Sequence, residues 1–390
     1  MKAFKAPGSD DLHAGFFQHF WMIVGKLVVG GDKEMLWDQK NIYIYPEFLS
    51  KTNMVRIPKI QGPETIGNYR PISLCNTMYK IITKITVAKI RLMLDKIVSS
   101  VQSTFVPGRK GVNNAIIVQE IIHTISKKKG RKGYMAIKVD LEKAYYKLEW
   151  SFIWEMLLKE NLPRDLIDLI MNYVSSTTTS VIFNGGNLKP FWPSQGIQQG
   201  DPLSPYIFIL CTELLGHLIK EKRREKKWTP VKVSKSGIAF SHLFFVDDLV
   251  LFAKADGSNY SAIRDTLDEF CIRSGQSMSE AKSRVFFSPN VNRDTRESLC
   301  DILGFSSTPN LGKDLGFPIK HRGSSSQDFN FFLERVKQKL ASWKANHLSF
   351  VGRTILIQAS SSTILAYFMQ CNALPSKLLD NIDKVNRNFL

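Results

Sequence analysis

The sequence predicts an α+β protein in which helices and strands follow one another in mixed order. Two kinds of pattern carry that expectation. Short apolar runs carry or end in acids: YMAIKVD (134–140) has strand alternation, and HLFFVDDLVLFAK (242–254) sets two acids between almost wholly apolar runs. Other stretches space large apolar residues at the helix period, as in LPRDLIDLIMNYV (162–174). The 390 residues give room for about two to three domain-sized units, and 44% apolar with 23% charged residues is ordinary for a folded chain.

In chain order, AGFFQHFWMIVGKLV (14–28) has helical spacing. MVRIPK (54–59) reads as a short strand, and GPETIGNYRPISL (62–74) as a loop leading to a second extended piece. From Asn76 to Ser99 a helix is expected, with Met78, Ile81, Ile82, Ile85, Ala88 and Leu92 on its apolar stripe. Another spans Asn113 to Ser126, followed by the exposed basic loop KKKGRK (127–132). After the strand ending at Asp140, LEKAYYKLEW turns into helix, and SVIFNGGNLKPFW (180–192) is a hairpin with Asn-Gly-Gly at its tip. A Gly-rich loop then opens a long helix, capped by Asp201 with Pro202 at its first position, apolar to Ile219 and dissolving into KEKRREKK. YSAIRDTLDEFCIRS (260–274) is a helix and KSRVFFS (282–288) a strand. The last helix, FNFFLERVKQKLASWKANHL (329–348), sets Phe332, Val336, Leu340 and Trp343 on one stripe, with Lys337, Lys339 and Lys344 off it.

Fifty-three Lys and Arg against thirty-five Asp and Glu leave a formal charge of +18. A field of that sign draws polyanions, nucleic acid being the commonest; an anionic membrane surface and plain solubility are the other readings. Five dispersed cysteines, with no CxxC and no His at ligand spacing, argue for a reducing compartment and against zinc. No apolar stretch has the length of a membrane span and no signal-peptide core follows Met1, so an intracellular, soluble chain with no membrane partner is expected.

Asp247 and Asp248 sit side by side between apolar runs. One reading is a turn, since Asp tolerates turn geometry and two residues can join two strands. The other is a metal. Asp140 ends a strand as well, and the three acids would meet if that strand pairs with the 242–254 hairpin. Ionised acids that close repel unless cations compensate them. Two Mg²⁺ ions, with Mn²⁺ as a substitute, would do so and would serve phosphoryl transfer.

The chain resembles the reverse transcriptases of non-LTR (long interspersed element) retrotransposons, in their plant form. The residues that carry the resemblance are NYRPISL (68–74), QSTFVPGR (102–109), AIKVDLEKAYYKLEW (136–150), GIQQGDPLSPYIF (196–208), FFVDD (244–248), EAKSRVFFS (280–288) and LGFPI (315–319). APGSDDLHAGFFQHFW (6–21) is similar to the block before the polymerase core. The resemblance implies a right-hand polymerase: an antiparallel palm sheet flanked by helices, with fingers and a helical thumb. It sets fingers and an N-terminal block in 1–132, palm in 133–320 with a finger insertion near 151–190, and thumb in 321–390.

It also implies roles. Asp140 and Asp247 are the main metal ligands, with Asp248 the third acid. Tyr145 stacks under the incoming sugar and leaves no room for a 2′-hydroxyl. Gln199 and Gly200 form the loop against nucleotide and template. Lys59 and Arg70 grip the triphosphate, and Lys282 protonates the pyrophosphate leaving group. Arg109, the run Lys127, Lys128, Lys129, Arg131 and Lys132, a second run at 220–227, and Lys337 and Lys344 meet the template–primer backbone. Read from the residues alone, Tyr145 is equally a core aromatic, the basic runs are equally solvated loops, an isolated Lys such as Lys59 reads better as a solvated charge, and the last helix also reads as an ordinary amphipathic one. RNA template, DNA primer and dNTP are the implied partners, and the nucleus the location the family suggests; the oligomeric state is left open.

Departures from the family pattern are Tyr146 in place of Asp, Gln198 at an often basic position, Val246 for Ala, Ser279 for Asn, and Asp10–Asp11 for Asp-Gly. With no endonuclease block and no Cys-rich tail, a truncated copy is expected. Two other readings compete with a polymerase: a nucleic-acid-binding remnant without catalysis, and a metal-dependent phosphohydrolase, which leaves Tyr145 and the Gly200 loop unexplained.

Overall fold

The computed structural model describes residues 1–26, 28, 47–234, 236–314, 317–318, 330–341, 347–370 and 374–390. In chain order its main strands are β1 (Lys51–Pro58), β2 (Tyr69–Cys75), β3 (Tyr134–Val139), β4 (Thr178–Phe183), β5 (Gly186–Asn187), β6 (Val231–Lys232), β7 (Ala239–Phe240), β8 (His242–Phe245), β9 (Asp248–Lys254), β10 (Arg284–Phe287) and β11 (Ser306–Ser307). The chain gathers into two compact units, each built from three separate stretches. The first comprises Met1–Gly108, Asp140–Glu225 and Ala262–Ser279; the second comprises Arg109–Val139, Lys226–Ser261 and Glu280–Leu390.

In the first unit a four-stranded sheet runs β2-β1-β4-β5. β1 pairs antiparallel with β2 and parallel with β4. The hairpin turn between β4 and β5 is Asn184–Gly185, with φ of 49° and 81°, so the Asn-Gly signal reads correctly as a tight turn. Helices Thr77–Arg91, Trp150–Lys159, Arg164–Ser175 and Ser204–Arg224 accompany the sheet, the last being buried as far as Ile219.

Three expectations need correction here. The 14–28 stretch is not one helix: Ala14–His19 ends at a turn on Phe20, and residues 21–26 are helical again. The helix expected over 76–99 ends at Arg91, with a separate turn at Leu94–Ile97. Its buried stripe is Tyr79, Ile82, Thr83, Thr86, Val87 and Ile90, while Ala88 and Leu92 are exposed. Thr83 and Thr86 turn their hydroxyls back to the carbonyls of Lys80 and Ile82 and also meet Asp201 and the Tyr173 hydroxyl, so each can be buried with its polar atom satisfied. Third, Leu203 is the N-cap of the long helix and Pro205, not Pro202, lies in its first turn. Asp201 is buried before it and accepts from the Ser204 hydroxyl at 3.5 Å.

The second unit holds a five-stranded sheet in the order β11-β10-β3-β9-β8, antiparallel except for the short β10–β11 pair. β3 is central and apolar, with Met135, Ala136, Ile137 and Val139 all at 0% exposure. Helix Gly111–Ser126 packs beneath the hairpin, where the Asn114 amide donates to the Phe244 carbonyl at 3.0 Å. Farther along, Phe332, Val336 and Leu340 of helix Asn330–Leu340 share a core with Ala115, Phe368, Leu378 and Ile382. Three members of the expected stripe are thus buried together; Trp343 and Lys344 lie outside the described residues, as do Leu315, Gly316 and Ile319.

Candidate active site

In the second unit β8 and β9 form a tight hairpin whose last pair is Phe245 with Asp248. The turn residues are therefore Val246 and Asp247, and Asp248 is already in the strand. The turn reading holds for Asp247 alone, which lies in the turn, while Asp248 is delivered by the sheet. Val246 has φ of 55°, a region that costs a β-branched side chain about 1–2 kcal/mol. Strain of this kind persists only where surrounding structure over-determines it. Below the turn, Gly111 approaches so closely that a Cβ there would lie 2.3 Å from the Phe245 ring.

β3 pairs with β9 from Tyr134 opposite Lys254 to Val139 opposite Leu249. Asp140 follows Val139 directly in the chain, as Asp248 directly precedes Leu249. The expected pairing of the two acid-bearing segments is thus present. Lys138, two residues before Asp140, sets its ammonium 3.4 Å from the Asp248 carboxylate. The reading of the sequence missed Lys138, although strand parity gives it the same face as Asp140.

Carboxylate oxygens at strand ends are hard donors of the kind Mg²⁺ takes, and Mg²⁺ uses one or two of them together with water and substrate phosphates. Among the described residues no three His, Cys, Asp or Glu side chains converge on a point that could hold a metal. The donor chemistry of Asp140, Asp247 and Asp248 fits the ion.

Lys282 is exposed two residues before β10 begins. Arg109 is half-buried at the start of the unit. Of the basic loop, Lys127, Lys129, Arg131 and Lys132 are exposed, while Lys128 holds its ammonium 5.1 Å over the Tyr134 ring. The Asn290 amide fixes that loop by donating to the carbonyls of Gly130 and Lys132. Lys337 pairs with Glu334 at 3.1 Å.

The remaining nucleotide-binding candidates all belong to the first unit. Lys59 and Arg70 lie on the β1–β2 hairpin, exposed, with the Lys59 ammonium donating to the Gly67 carbonyl at 3.0 Å. Tyr145 is half-buried and stacks flat on Phe208, centroids 5.1 Å apart and planes 4° apart. Its carbonyl accepts from the Ile197 N–H at 2.7 Å. The Ser73 N–H of β2 donates to the Gln199 carbonyl at 2.8 Å. Gly200, at φ 131°, passes so near β2 that a Cβ would come within 2.5 Å of the Ser73 carbonyl oxygen. The close approach that demands glycine is to the chain itself.

Gln198 completes these tethers. Its side-chain oxygen accepts from Cys75 Sγ at 2.8 Å and Thr52 Oγ1 at 3.4 Å, which a basic residue could not do. Beneath the loop lies a cavity of about 230 Å³, lined among others by Ser73, Tyr79, Tyr146, Tyr173, Gln198 and Asp201. Burial pushes the Asp201 carboxyl up to about 6 and the Cys75 thiol up to about 12, the nearby Asp201 charge adding to the latter.

A reverse transcriptase (RNA-dependent DNA polymerase) family model matches residues 57–318, and the chain belongs to that family. It is 24% identical over 401 residues to the transposon TX1 uncharacterized 149 kDa protein of Xenopus laevis, covering 99% of this chain and 29% of that protein. It is 26% identical over 227 residues to the retrovirus-related Pol polyprotein from type-2 retrotransposable element R2DM of Drosophila melanogaster, covering 58% of this chain and 20% of that one. An uncharacterized mitochondrial protein of Arabidopsis thaliana is 43% identical over 67 residues, 17% of this chain and 55% of its own. The chain therefore spans less than a third of the first two relatives. Among solved structures it is similar to apo telomerase from Candida tropicalis truncated from the C-terminal domain, with a TM-score of 0.43 and 12% identity over 70% of this chain and 56% of that one.

Proposed function

We propose that this chain is the polymerase segment of a non-LTR retrotransposon's reverse transcriptase, of the plant type, extending a DNA primer on an RNA template. The observation that carries the reading is the strand register that ends β3 at the residue before Asp140 and begins β9 at Asp248, with Asp247 in the turn. An antiparallel sheet presenting acids at the ends of two paired strands suits nucleotidyl transfer. Asp140, Asp247 and Asp248 would hold divalent cations, which when bound favour the ionised primer 3′-hydroxyl and offset charge on the leaving phosphate.

The chain's own residues do the rest. Lys59 and Arg70 neutralise the triphosphate, Arg70 with a fork suited to two phosphate oxygens. Tyr145, backed by Phe208, meets the sugar ring and rejects a 2′-hydroxyl by its bulk. Lys282 gives a proton to the departing pyrophosphate. Arg109 and the basic runs hold the template–primer backbone.

Primer extension with an RNA template, dNTPs and Mg²⁺ tests this. The native chain extends, and Asp247→Asn falls by about a thousandfold or more, the several kcal/mol that a metal-held transition state loses. The second reading, a nucleic-acid-binding chain without catalysis, draws support from Lys138, a cation already at 3.4 Å from Asp248. It expects duplex binding by both proteins and extension by neither.

A further inference from the structure

We infer that the Tyr146 hydroxyl is a positioning device for nucleotide selection, an inference that rests on the polymerase reading above. Tyr146 follows Tyr145, the residue assigned to the sugar, and its hydroxyl donates to the Pro71 carbonyl at 2.8 Å. Pro71 follows Arg70, the residue assigned to the triphosphate. One hydrogen bond therefore spans 75 positions of sequence to join the sugar-reading and phosphate-gripping segments.

The surroundings make this link a fixed length. The Tyr146 N–H donates to the Lys143 carbonyl at 2.7 Å, and the Tyr145 carbonyl is held by Ile197 at 2.7 Å. Gly196 presses on the same backbone, where a Cβ would lie 2.8 Å from the Tyr146 carbonyl oxygen. The Tyr145 ring cannot sink, because Phe208 lies flat against it. With the ring fixed, the hydroxyl of Tyr146 sets where β2, and hence Arg70, stands relative to Tyr145. An ionised aspartate, the residue expected here from the resemblance, only accepts hydrogen bonds and could not donate to a carbonyl. The link is a property of this chain.

The test is Tyr146→Phe, which removes one oxygen and keeps the ring. Tyr79→Phe is its control, deleting a hydroxyl that donates to the Tyr173 carbonyl at 3.2 Å elsewhere in the same unit. Two readouts are taken: steady-state extension with dNTP and rNTP, and equilibrium retention of dNTP and rNTP on a chain-terminated primer–template, which needs no catalysis. In Tyr146→Phe, the KM and the dissociation constant for dNTP rise about tenfold and preference over rNTP falls about tenfold, as befits one lost hydrogen bond. kcat, duplex affinity and melting temperature stay near native, and Tyr79→Phe leaves selectivity intact. Native selectivity in Tyr146→Phe overturns the inference, as does an equal loss in both variants. A native chain that retains dNTP without extending it counts against the activity alone, and the retention ratio still decides the role of Tyr146. A chain that retains no nucleotide overturns both.

Discussion

Gly200 and Asp201 stand side by side, and each answers to its surroundings more than to its type. Gly200 combines a positive φ with near contact to the Ser73 carbonyl, so an added methyl has no room and no relaxed backbone. Gly200→Ala is expected to lose about 1–3 kcal/mol in denaturant unfolding and to weaken dNTP binding by shifting Gln199. Asp201 carries a folded-state pKa raised by burial to about 6, above its unfolded value. The folded state thus binds its proton more tightly, and that contribution is complete below about pH 4 and lost as pH rises to about 6. The loss amounts to roughly 3 kcal/mol. Unfolding free energies measured from pH 4 to 7 fall through this window in the native chain, and Asp201→Asn flattens the profile. A native profile that rises there refutes the assignment. Neither residue's burden shows in the sequence: a Gly-Asp-Pro run advertises a helix start, while the clash with Ser73 involves a residue 127 positions away.

The elements divide by how local their causes are. β3, β9 and the β4–β5 hairpin follow from alternation and turn residues, and they lie where the patterns put them. The Thr77–Arg91 helix also forms as its period demands, but its buried face is rotated because two threonines find hydrogen-bond partners inside and pack inward. Helix Asn330–Leu340 shows the opposite: its stripe of Phe332, Val336 and Leu340 is buried as read. Phe332 is at 0% exposure against Phe368, Val336 and their neighbours, so Phe332→Ala should cost about 3–5 kcal/mol of unfolding free energy. Equilibrium denaturation checks this, and a loss below about 1 kcal/mol would mean that the cluster does not hold this unit's C-terminal helices.

For the whole molecule the governing quantity is a charge of +18 spread over a chain whose family copies RNA into DNA. Lysine and arginine contacts to phosphate release counterions, so affinity for a primer–template should fall steeply with salt. Between about 50 and 200 mM monovalent salt a drop of roughly a thousandfold or more is expected for six or more such contacts. Fluorescence anisotropy with a labelled duplex measures the slope; a flat response removes the basic loop 127–132 and its companions as the docking surface. Neutralising Lys127, Lys129, Arg131 and Lys132 together should lower the slope without changing dNTP selectivity, because that loop belongs to a different unit from Tyr145 and Tyr146.

The sequence by itself carried the resemblance to the reverse transcriptase family, since the motifs and their order are local signals. It left the pairing of the 134–140 strand with the 242–254 hairpin as a condition, which the β3–β9 register meets. Only the tertiary structure decided which of two adjacent aspartates turns and which is paired, and that Lys138 leans on Asp248. Only it decided that Gln198, Gln199 and Tyr146 bind the 196–200 loop and the 145–146 segment to β1 and β2. The reason is physical: periodicity records what a residue does with water, whereas these bonds depend on which distant donor or acceptor stands within hydrogen-bonding reach, and burial alone says nothing of that.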